Sequence, residues 1–323
     1  MSKIKLYRDY REMKKKFPRT AVAIGNFDGL HLGHKGLLDY AKKLSIKNEA
    51  LLLVFTFYPH PLRIIRPGNE PQKILSFRSK IRKMSELGVD IVLIQRFNNL
   101  FSKISAEDFV VKILLGYLNA VQIIVGEDFR FGYKRKGDTE YLNSGVLKNK
   151  AKLNIVEPIK GSGGKYSSST VRDLINNGKM EMVKSILGEF YEVEGVVVKG
   201  KQLGKKLGFP TANINYLDCM APQDGIYAGF VLHQGKYYGA ALSSGTRPHF
   251  EGNERFLEAH ILDFKEDIYG RRIRALFVKK IRDESVFEDN DKLKKQILMD
   301  CLEVKNILRK EGNLKINGDS YGL

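Results

Sequence analysis

The stretch Thr20-Ala-Val-Ala-Ile-Gly25-Asn-Phe-Asp-Gly-Leu-His31-Leu-Gly-His34 decides how the first half of this chain is read. Thr20 to Gly25 has the composition of a buried strand. Gly25, Gly29 and Gly33 allow tight turns and a close approach of backbone to a phosphate. A helix is expected from near His34 to about Leu44, with Leu37, Leu38, Ala41 and Leu44 at helical spacing, and its N-terminus favours anions. His31 and His34 share one face of that incipient helix. Two imidazoles there can donate to phosphate oxygens as charge builds on a transferring group. A lone His-x-x-His is commonly an incidental pair, and no third ligand lies nearby to make a zinc site. The glycine-bracketed strand, loop and helix around this pair favour phosphate chemistry.

Outward from that loop, strands and helices alternate. Leu51 to Phe57 and Val89 to Ile94 read as strands, Phe77 to Leu87 as a helix with Ile81, Met84 and Leu87 on one face. Ser105 looks like an N-cap leading into an apolar helix from Phe109 to Leu118, and Val121 to Val125 as another strand. This alternation predicts an α/β fold with a doubly wound parallel sheet, whose ligand site lies at the C-terminal ends of the strands. After a helical segment from Thr170 to Leu187, short strands dominate: Tyr191 to Val198, Ile226 to His233, Lys236 to Leu242, Phe256 to Phe264 and Ile273 to Ile281. They predict a small antiparallel β-barrel, closed by a terminal helix from Asp291 to Leu308. The boundary is expected near Gly188, giving domains at 1–187 and 188–310 and a tail at 311–323.

With 323 residues, 43% hydrophobic and 28% charged, the chain has ordinary globular composition and length for two cores. The most apolar run, Ala50 to Phe57, is too short to span a bilayer. Met1 to Pro18 lacks the continuous apolar core of a secretory signal. Cys219 and Cys301 form neither a disulfide framework nor a metal-type spacing, so a cytoplasmic protein is expected. The net charge of +18 raises nucleic acid as a partner. The basic residues are scattered from end to end, with no long basic helix and no aromatic RNA-binding motif. The charge is therefore read as a lysine-coated surface with sites for phosphate-bearing small molecules, and neither nucleic acid nor membrane is expected as a partner.

Gly25-x-Phe-Asp-Gly-x-His-x-Gly-His34 resembles the nucleotidyltransferase motif of the prokaryotic bifunctional riboflavin kinase/FMN adenylyltransferase (FAD synthetase) family. Thr56-Phe-Tyr-Pro-His-Pro61, Gly126-Glu-Asp-Phe-Arg-Phe-Gly132 and Ser168-Ser-Thr-Val-Arg172 resemble three further segments of that family. The resemblance implies that His31 and His34 contact the ATP phosphates, with Gly25, Phe27, Asp28, Gly29 and Gly33 around them. It implies that Ser168, Ser169, Thr170 and Arg172 hold the departing pyrophosphate, and that Asp128, Phe129 and Phe131 lie at the flavin. Capping explains the serines equally simply, and plain core explains Phe129 and Phe131. Tyr166 stands where an aliphatic residue is expected.

Gly200-Lys-Gln-Leu-Gly-Lys-Lys-Leu-Gly-Phe-Pro-Thr-Ala-Asn213 is not a Walker A loop, because no Gly-Lys is followed by Ser or Thr at the required spacing. It resembles the riboflavin kinase module of the same family. That implies ATP contacts at Gly204, Gly208, Pro210 and Thr211, and a divalent cation such as Mg²⁺ held by Thr211 and Asn213, whose hard oxygens suit it. Pro222-Gln-Asp-Gly-Ile-Tyr227 and Phe256-Leu-Glu-Ala-His-Ile-Leu-Asp-Phe264 match further segments, implying Tyr227 and Arg282 at the flavin and Glu258 as catalytic base. Alternation puts Glu258 and His260 on one strand face and Leu257, Ala259 and Ile261 on the other. Ser244 and His249 depart from the family pattern, which keeps open a chain with one live module. The implied function is phosphorylation of riboflavin to FMN by the C-terminal module and adenylylation of FMN to FAD by the N-terminal one, with ATP as co-substrate of both. A nucleic-acid-binding regulator and a nucleotidyltransferase for another acceptor are the rival readings.

Overall fold

The computed structural model describes residues 4–14, 16–147, 150–161, 164–200, 204, 207–216, 218–249 and 252–311. The expected tail, apart from Glu311, lies outside the described residues, as do positions 201–203, 205 and 206 of the kinase-like string. The chain forms two compact units, one of Met1–Pro71 with Arg78–Ser167, the other of Gln72–Phe77 with Ser168–Leu323.

The first unit is built on a parallel sheet of β1 (Lys5–Tyr7), β2 (Thr20–Ile24), β3 (Leu51–Tyr58), β4 (Ile91–Arg96), β5 (Ala120–Gly126) and β6 (Lys152–Val156), in the order β1-β4-β3-β2-β5-β6. The order reverses at β2, whose neighbours β3 and β5 lie on either side, so the crevice for a ligand opens where β2 ends. Every residue of β2 is buried, as a central strand covered on both faces requires. Helix α1 (Leu32–Lys47) covers one face through Leu37, Leu38 and Ala41. A core including Phe17, Val22, Leu53, Phe55, Phe109 and Ile123 lies within the unit. Ser105 caps the expected helix by accepting the Asp108 N–H at 3.0 Å. From Phe109–Tyr117, however, the turns are of the wider π type, closed by Leu118 N–H to Ile113 carbonyl at 3.0 Å.

The second unit is a closed barrel of β9 (Tyr191–Val198), β10 (Ala212–Tyr216), β11 (Gly225–His233), β12 (Lys236–His249), β13 (Gly252–Ile261) and β14 (Arg272–Arg282), after the small hairpin β7 (Lys160–Gly161) and β8 (Gly164–Lys165) of the first unit. Neighbours run antiparallel in the order β10-β13-β12-β11-β14-β9. The helical segment expected from Thr170 to Leu187 is two helices, Ser168–Asn176 and Met180–Leu187, parted at Gly178 with φ 66°. A long terminal helix, Asn290–Glu311, packs on the barrel through Val304 and Leu308.

Compactness divides the chain at Ser167 and Ser168, twenty residues before the expected boundary near Gly188, which ends the second of those helices with φ 73°. Residues 72–77 go with the barrel for a physical reason. The buried Tyr191 hydroxyl reaches the carbonyls of Ile74 (3.1 Å) and Met220 (2.6 Å), and the Met220 N–H donates to the Lys73 carbonyl at 2.8 Å.

Candidate active sites

In the first unit the site forms where β2 ends. Gly25 N–H still donates to the Phe55 carbonyl of β3 at 3.1 Å, and the chain then turns. Phe27 and Leu30 take left-handed conformations, φ 48° and 45°, that are strained for residues with a Cβ. Burial holds them: Phe27 is 1% exposed and Leu30 0%. His31 follows as the N-cap of α1, its Nδ1 accepting the His34 N–H at 3.3 Å. A ring nitrogen that accepts carries no proton, so neutral His31 carries its proton on Nε2.

The rings of His31 and His34 stack, centroids 3.7 Å apart and 19° from parallel. Glycine at 33 permits this, since a Cβ there would lie 3.1 Å from both Cε1 and Nδ1 of His31. Burial pulls the His31 pKa down to about 4, with Asp28 opposing and Lys165 assisting. Burial likewise holds His34 well below the ordinary imidazole range, helped by the charges of His31 and Lys80. Both rings are therefore neutral at pH 7, suited to donate a hydrogen bond rather than to act as fixed cations. His34 Nδ1 is buried without a hydrogen-bond partner among the described residues. An unpaired buried polar atom of this kind costs about 1–3 kcal/mol.

Thr56 and His60, from the Thr56–Pro61 motif, stand against this loop. Thr56 Oγ1 donates to the Asn26 carbonyl at 3.2 Å, and the Asn26 amide meets His60 Nε2 at 3.0 Å. Sequence reading missed Lys80, from the helix Phe77–Glu86 (α3), after the short helix Pro61–Ile65 (α2). Its ammonium donates to the Asn26 carbonyl and to Thr56 Oγ1. One lysine among the basic residues of a helix carries no local signal of this.

Asp128 is exposed and paired with Lys165 at 3.1 Å. Phe129 and Phe131 stack at 5.3 Å and 17°. Phe131 is core, 7% exposed and against Phe109, whereas Phe129 is only half-buried.

In the second unit Ser168 opens its helix, Ser169 and Thr170 are exposed, and Val171 and Ile175 anchor the helix inward. Arg172 Nε donates to the Gln72 carbonyl at 2.7 Å.

The barrel carries a cavity of about 430 Å³, whose wall includes Phe209, Thr211, Leu242, Glu258, His260 and Arg282. Gly204 closes a turn beside it, its carbonyl accepting from Leu207 N–H (3.1 Å) and Phe209 N–H (2.8 Å). A Cβ at Gly204 would lie 2.4 Å from the Phe209 carbonyl oxygen, and Gly208 sits at φ 90°. The turn delivers Pro210, whose carbonyl meets His260 Nδ1 at 2.9 Å, and then Thr211, whose hydroxyl donates to Glu258 Oε2 at 3.0 Å. Asn213 stands opposite Glu258 in the β10–β13 register, and its amide lies over Gly200, where a Cβ would come within 2.4 Å. As alternation requires, Leu257, Ala259 and Ile261 are buried while Glu258 and His260 face the cavity.

Tyr227 and Arg282 part company. Tyr227 is fully buried, edge-on to Phe277 at 5.3 Å, and its neighbour Ile226, on the other face of β11, lines the cavity instead. Burial pushes its phenol pKa up. Arg282 lines the cavity and is clamped by Asp300 of the terminal helix, Nε to Oδ1 at 2.9 Å and Nη2 to Oδ2 at 2.7 Å. Ser244 is fully buried and donates to the Pro222 carbonyl at 2.9 Å, which Arg255 also contacts at 2.6 Å. Its neighbour Ser243 faces the cavity, so the departure at 244 falls behind the wall. His249 pairs with Gly252 at the end of the β12–β13 hairpin.

The hydroxyl and amide oxygens of Thr211 and Asn213 are hard donors of the kind a magnesium ion takes, with few protein ligands alongside phosphates and water. No group of three His, Cys, Asp or Glu side chains able to hold a metal occurs among the described residues.

A model of the FAD synthetase family matches residues 13–170, and one of the riboflavin kinase family matches 187–308. The bifunctional riboflavin kinase/FMN adenylyltransferase of Buchnera aphidicola from Schizaphis graminum is 36% identical over 306 residues, covering 94% of this chain and 98% of that protein. The Escherichia coli K12 enzyme of the same name is 35% identical, covering 88% and 91%. A crystal structure of a Streptococcus pneumoniae protein, described as a macrolide-efflux protein, matches with TM-score 0.84 at 30% identity, covering 93% of this chain and 98% of that one. Among the described residues no helix is long and apolar enough to cross a membrane. Two catalytic family matches in series, and relatives aligned over nearly their whole length, lead to one assignment: the chain belongs to the bifunctional riboflavin kinase/FMN adenylyltransferase family.

Proposed function

We infer that this chain phosphorylates riboflavin to FMN in its barrel and adenylylates FMN to FAD at the His31–His34 loop, with ATP as co-substrate of both reactions. The observation that carries the first half is the Thr211–Glu258 hydrogen bond at 3.0 Å in the wall of a cavity lined by Phe209, Leu242 and Phe287. Apolar walls suit a flat flavin ring. Thr211 orients the carboxylate, and Glu258 accepts the proton of the riboflavin 5′-hydroxyl as its oxygen attacks the γ-phosphorus and ADP leaves. Thr211 and Asn213 would hold Mg²⁺, which supplies neutralisation of phosphate charge during transfer. Gly204, Gly208 and Pro210 shape the turn against the ATP phosphates, and Arg282 borders the flavin.

For the second half, a phosphate oxygen of FMN attacks the α-phosphorus of ATP in line with departing pyrophosphate. No proton need move, so the work is positioning and charge stabilisation. His31 offers its Nε2 proton to the phosphates, and His34 stacks beside it. The loop glycines 25, 29 and 33 let backbone approach. Phe27 supports His34 with its ring, edge-on at 5.3 Å. Asp28 and Asp128 flank the loop's ligand, and Phe129 is better placed than the buried Phe131 to meet a ring. Ser168, Ser169, Thr170 and Arg172 take the pyrophosphate in this reading. Its domains are 1–187 for adenylyl transfer and 188–310 for the kinase, and its compartment is the cytoplasm.

The test is product analysis. The purified chain is incubated with ATP, Mg²⁺ and either riboflavin or FMN, and the flavins are separated by chromatography. The reading predicts FMN and then FAD from riboflavin, and FAD directly from FMN. Absence of FAD from FMN would remove the role given to His31 and His34.

A further inference from the structure

Beneath the histidine loop lies a polar cluster to which no role has yet been given. Thr56 is 2% exposed, yet its hydroxyl reaches the Asn26 carbonyl at 3.2 Å and receives Lys80 Nζ at 2.9 Å. Lys80 donates to the same Asn26 carbonyl. The Asn26 side chain meets His60 Nε2 at 3.0 Å, and His60 Nδ1 accepts the Leu62 N–H at 3.2 Å. A single carbonyl thus gathers a lysine from α3 and a threonine from β3. It belongs to the peptide that leads into Phe27, whose φ of 48° a side-chain-bearing residue adopts only under constraint. The Phe27 ring in turn meets His34 edge-on at 5.3 Å, and His34 stacks on His31.

We propose that Lys80 is a positioning residue for adenylyl transfer: by tying the Asn26 carbonyl to Thr56 it fixes the Asn26–Phe27 peptide, and through the Phe27 ring it sets the His31–His34 pair. The proposal rests on adenylyl transfer occurring at this loop, and it gives Thr56 and His60 a task as parts of the same brace. A second consequence is electrostatic. The ammonium lies close enough to His34 to disfavour its protonation, acting with His31 and with burial. Asp28 and Lys165 act on His31 in opposite senses, Asp28 favouring and Lys165 disfavouring the charged ring. Lys80 therefore helps keep the pair neutral while a cation remains near a site that gathers phosphate charge.

The experiment compares Lys80→Met, Lys80→Arg and Thr56→Val in the full chain. For each, kcat and KM for ATP are measured in FAD formation from FMN across pH 5–9, and FMN formation from riboflavin is followed in the same preparation. The kinase reaction reports that the barrel unit is intact, and the thermal unfolding profile of each variant, set against that of the parent, reports on the first unit. Lys80→Met is expected to lower kcat for FAD formation about 100-fold, as loss of a site-organising contact can, with KM changed less than about threefold. The acid limb of its pH profile should move to higher pH. Lys80→Arg should recover part of kcat and return the acid limb, because charge is restored without the same two-bond geometry. Thr56→Val should lower kcat by about tenfold without moving the limb.

An unchanged kcat in Lys80→Met or in Thr56→Val would overturn the proposal. So would a change confined to KM, which would make Lys80 a substrate-binding charge. Should Lys80→Met fail to fold, Thr56→Val decides by the same criterion. If the unsubstituted chain makes no FAD from FMN, the reading of the loop fails, a result distinct from any failure of the variants.

Discussion

Thr211 and Glu258 are joined by a hydrogen bond of 3.0 Å, hydroxyl to carboxylate oxygen, where β10 and β13 run side by side. In the proposed kinase reaction Glu258 is the general base, and the bond holds it against Thr211, a proposed ligand of the divalent cation. Glu258→Gln keeps the shape and removes the base. It should lower riboflavin phosphorylation by about 10²–10⁴-fold, measured as FMN formed at saturating ATP.

Asn213→Ala should act differently. Its expected effect is a higher Mg²⁺ requirement, seen as a rightward shift of the activity curve in a magnesium titration. Adenylylation of supplied FMN, followed at fixed high Mg²⁺, should not change.

Gly33→Ala tests the stacked pair with both histidines retained. The new Cβ would lie 3.1 Å from His31 Cε1 and Nδ1, so the ring must shift. Displacement of a donor by a fraction of an ångström costs about tenfold or more in transfer rate. FAD formation should fall accordingly and FMN formation should hold.

His31 also makes stability depend on pH. Its ring protonates at about 4 when folded, against 6.5 when free. Between those values the unfolded chain binds the proton and the folded one does not, so protonation favours unfolding. The contribution is complete above pH 6.5 and is lost as pH falls to 4, by roughly 3 kcal/mol. Calorimetry of the chain and of His31→Gln across that window should show a shallower acid decline in the variant.

The clamp between Arg282 and Asp300 ties the last barrel strand to the terminal helix, with Asp300 4% exposed. Asp300→Ala leaves the guanidinium without that carboxylate. It should destabilise the barrel unit by about 3 kcal/mol, seen as a lower denaturation midpoint, and raise KM for riboflavin.

The elements that position the first site were legible because their signals are local. The apolar run into Gly25 and the spacing of Leu37, Leu38 and Ala41 declare a central strand and its covering helix. Strand β10 was not legible, because Ala212 and Asn213 end a string that reads as loop chemistry and become strand only by pairing with β9 and β13. The π turns after Asp108 and the break at Gly178 depend on packing that periodicity cannot see. Lys80 was invisible for a similar reason: its partners, Asn26 and Thr56, are distant in sequence and are brought to it by the sheet. Tyr227 shows the opposite failure. Its motif suggested the flavin, but the face of β11 it occupies is the core face, where Phe277 waits.

The most direct measurement sets His34→Ala beside Glu258→Gln, each supplied with riboflavin or with FMN, ATP and Mg²⁺. A complementary pattern is expected: His34→Ala converts riboflavin to FMN and stops there, while Glu258→Gln makes FAD only when FMN is given. Loss of both activities in either variant, in a protein that melts like the parent, would contradict two separate sites.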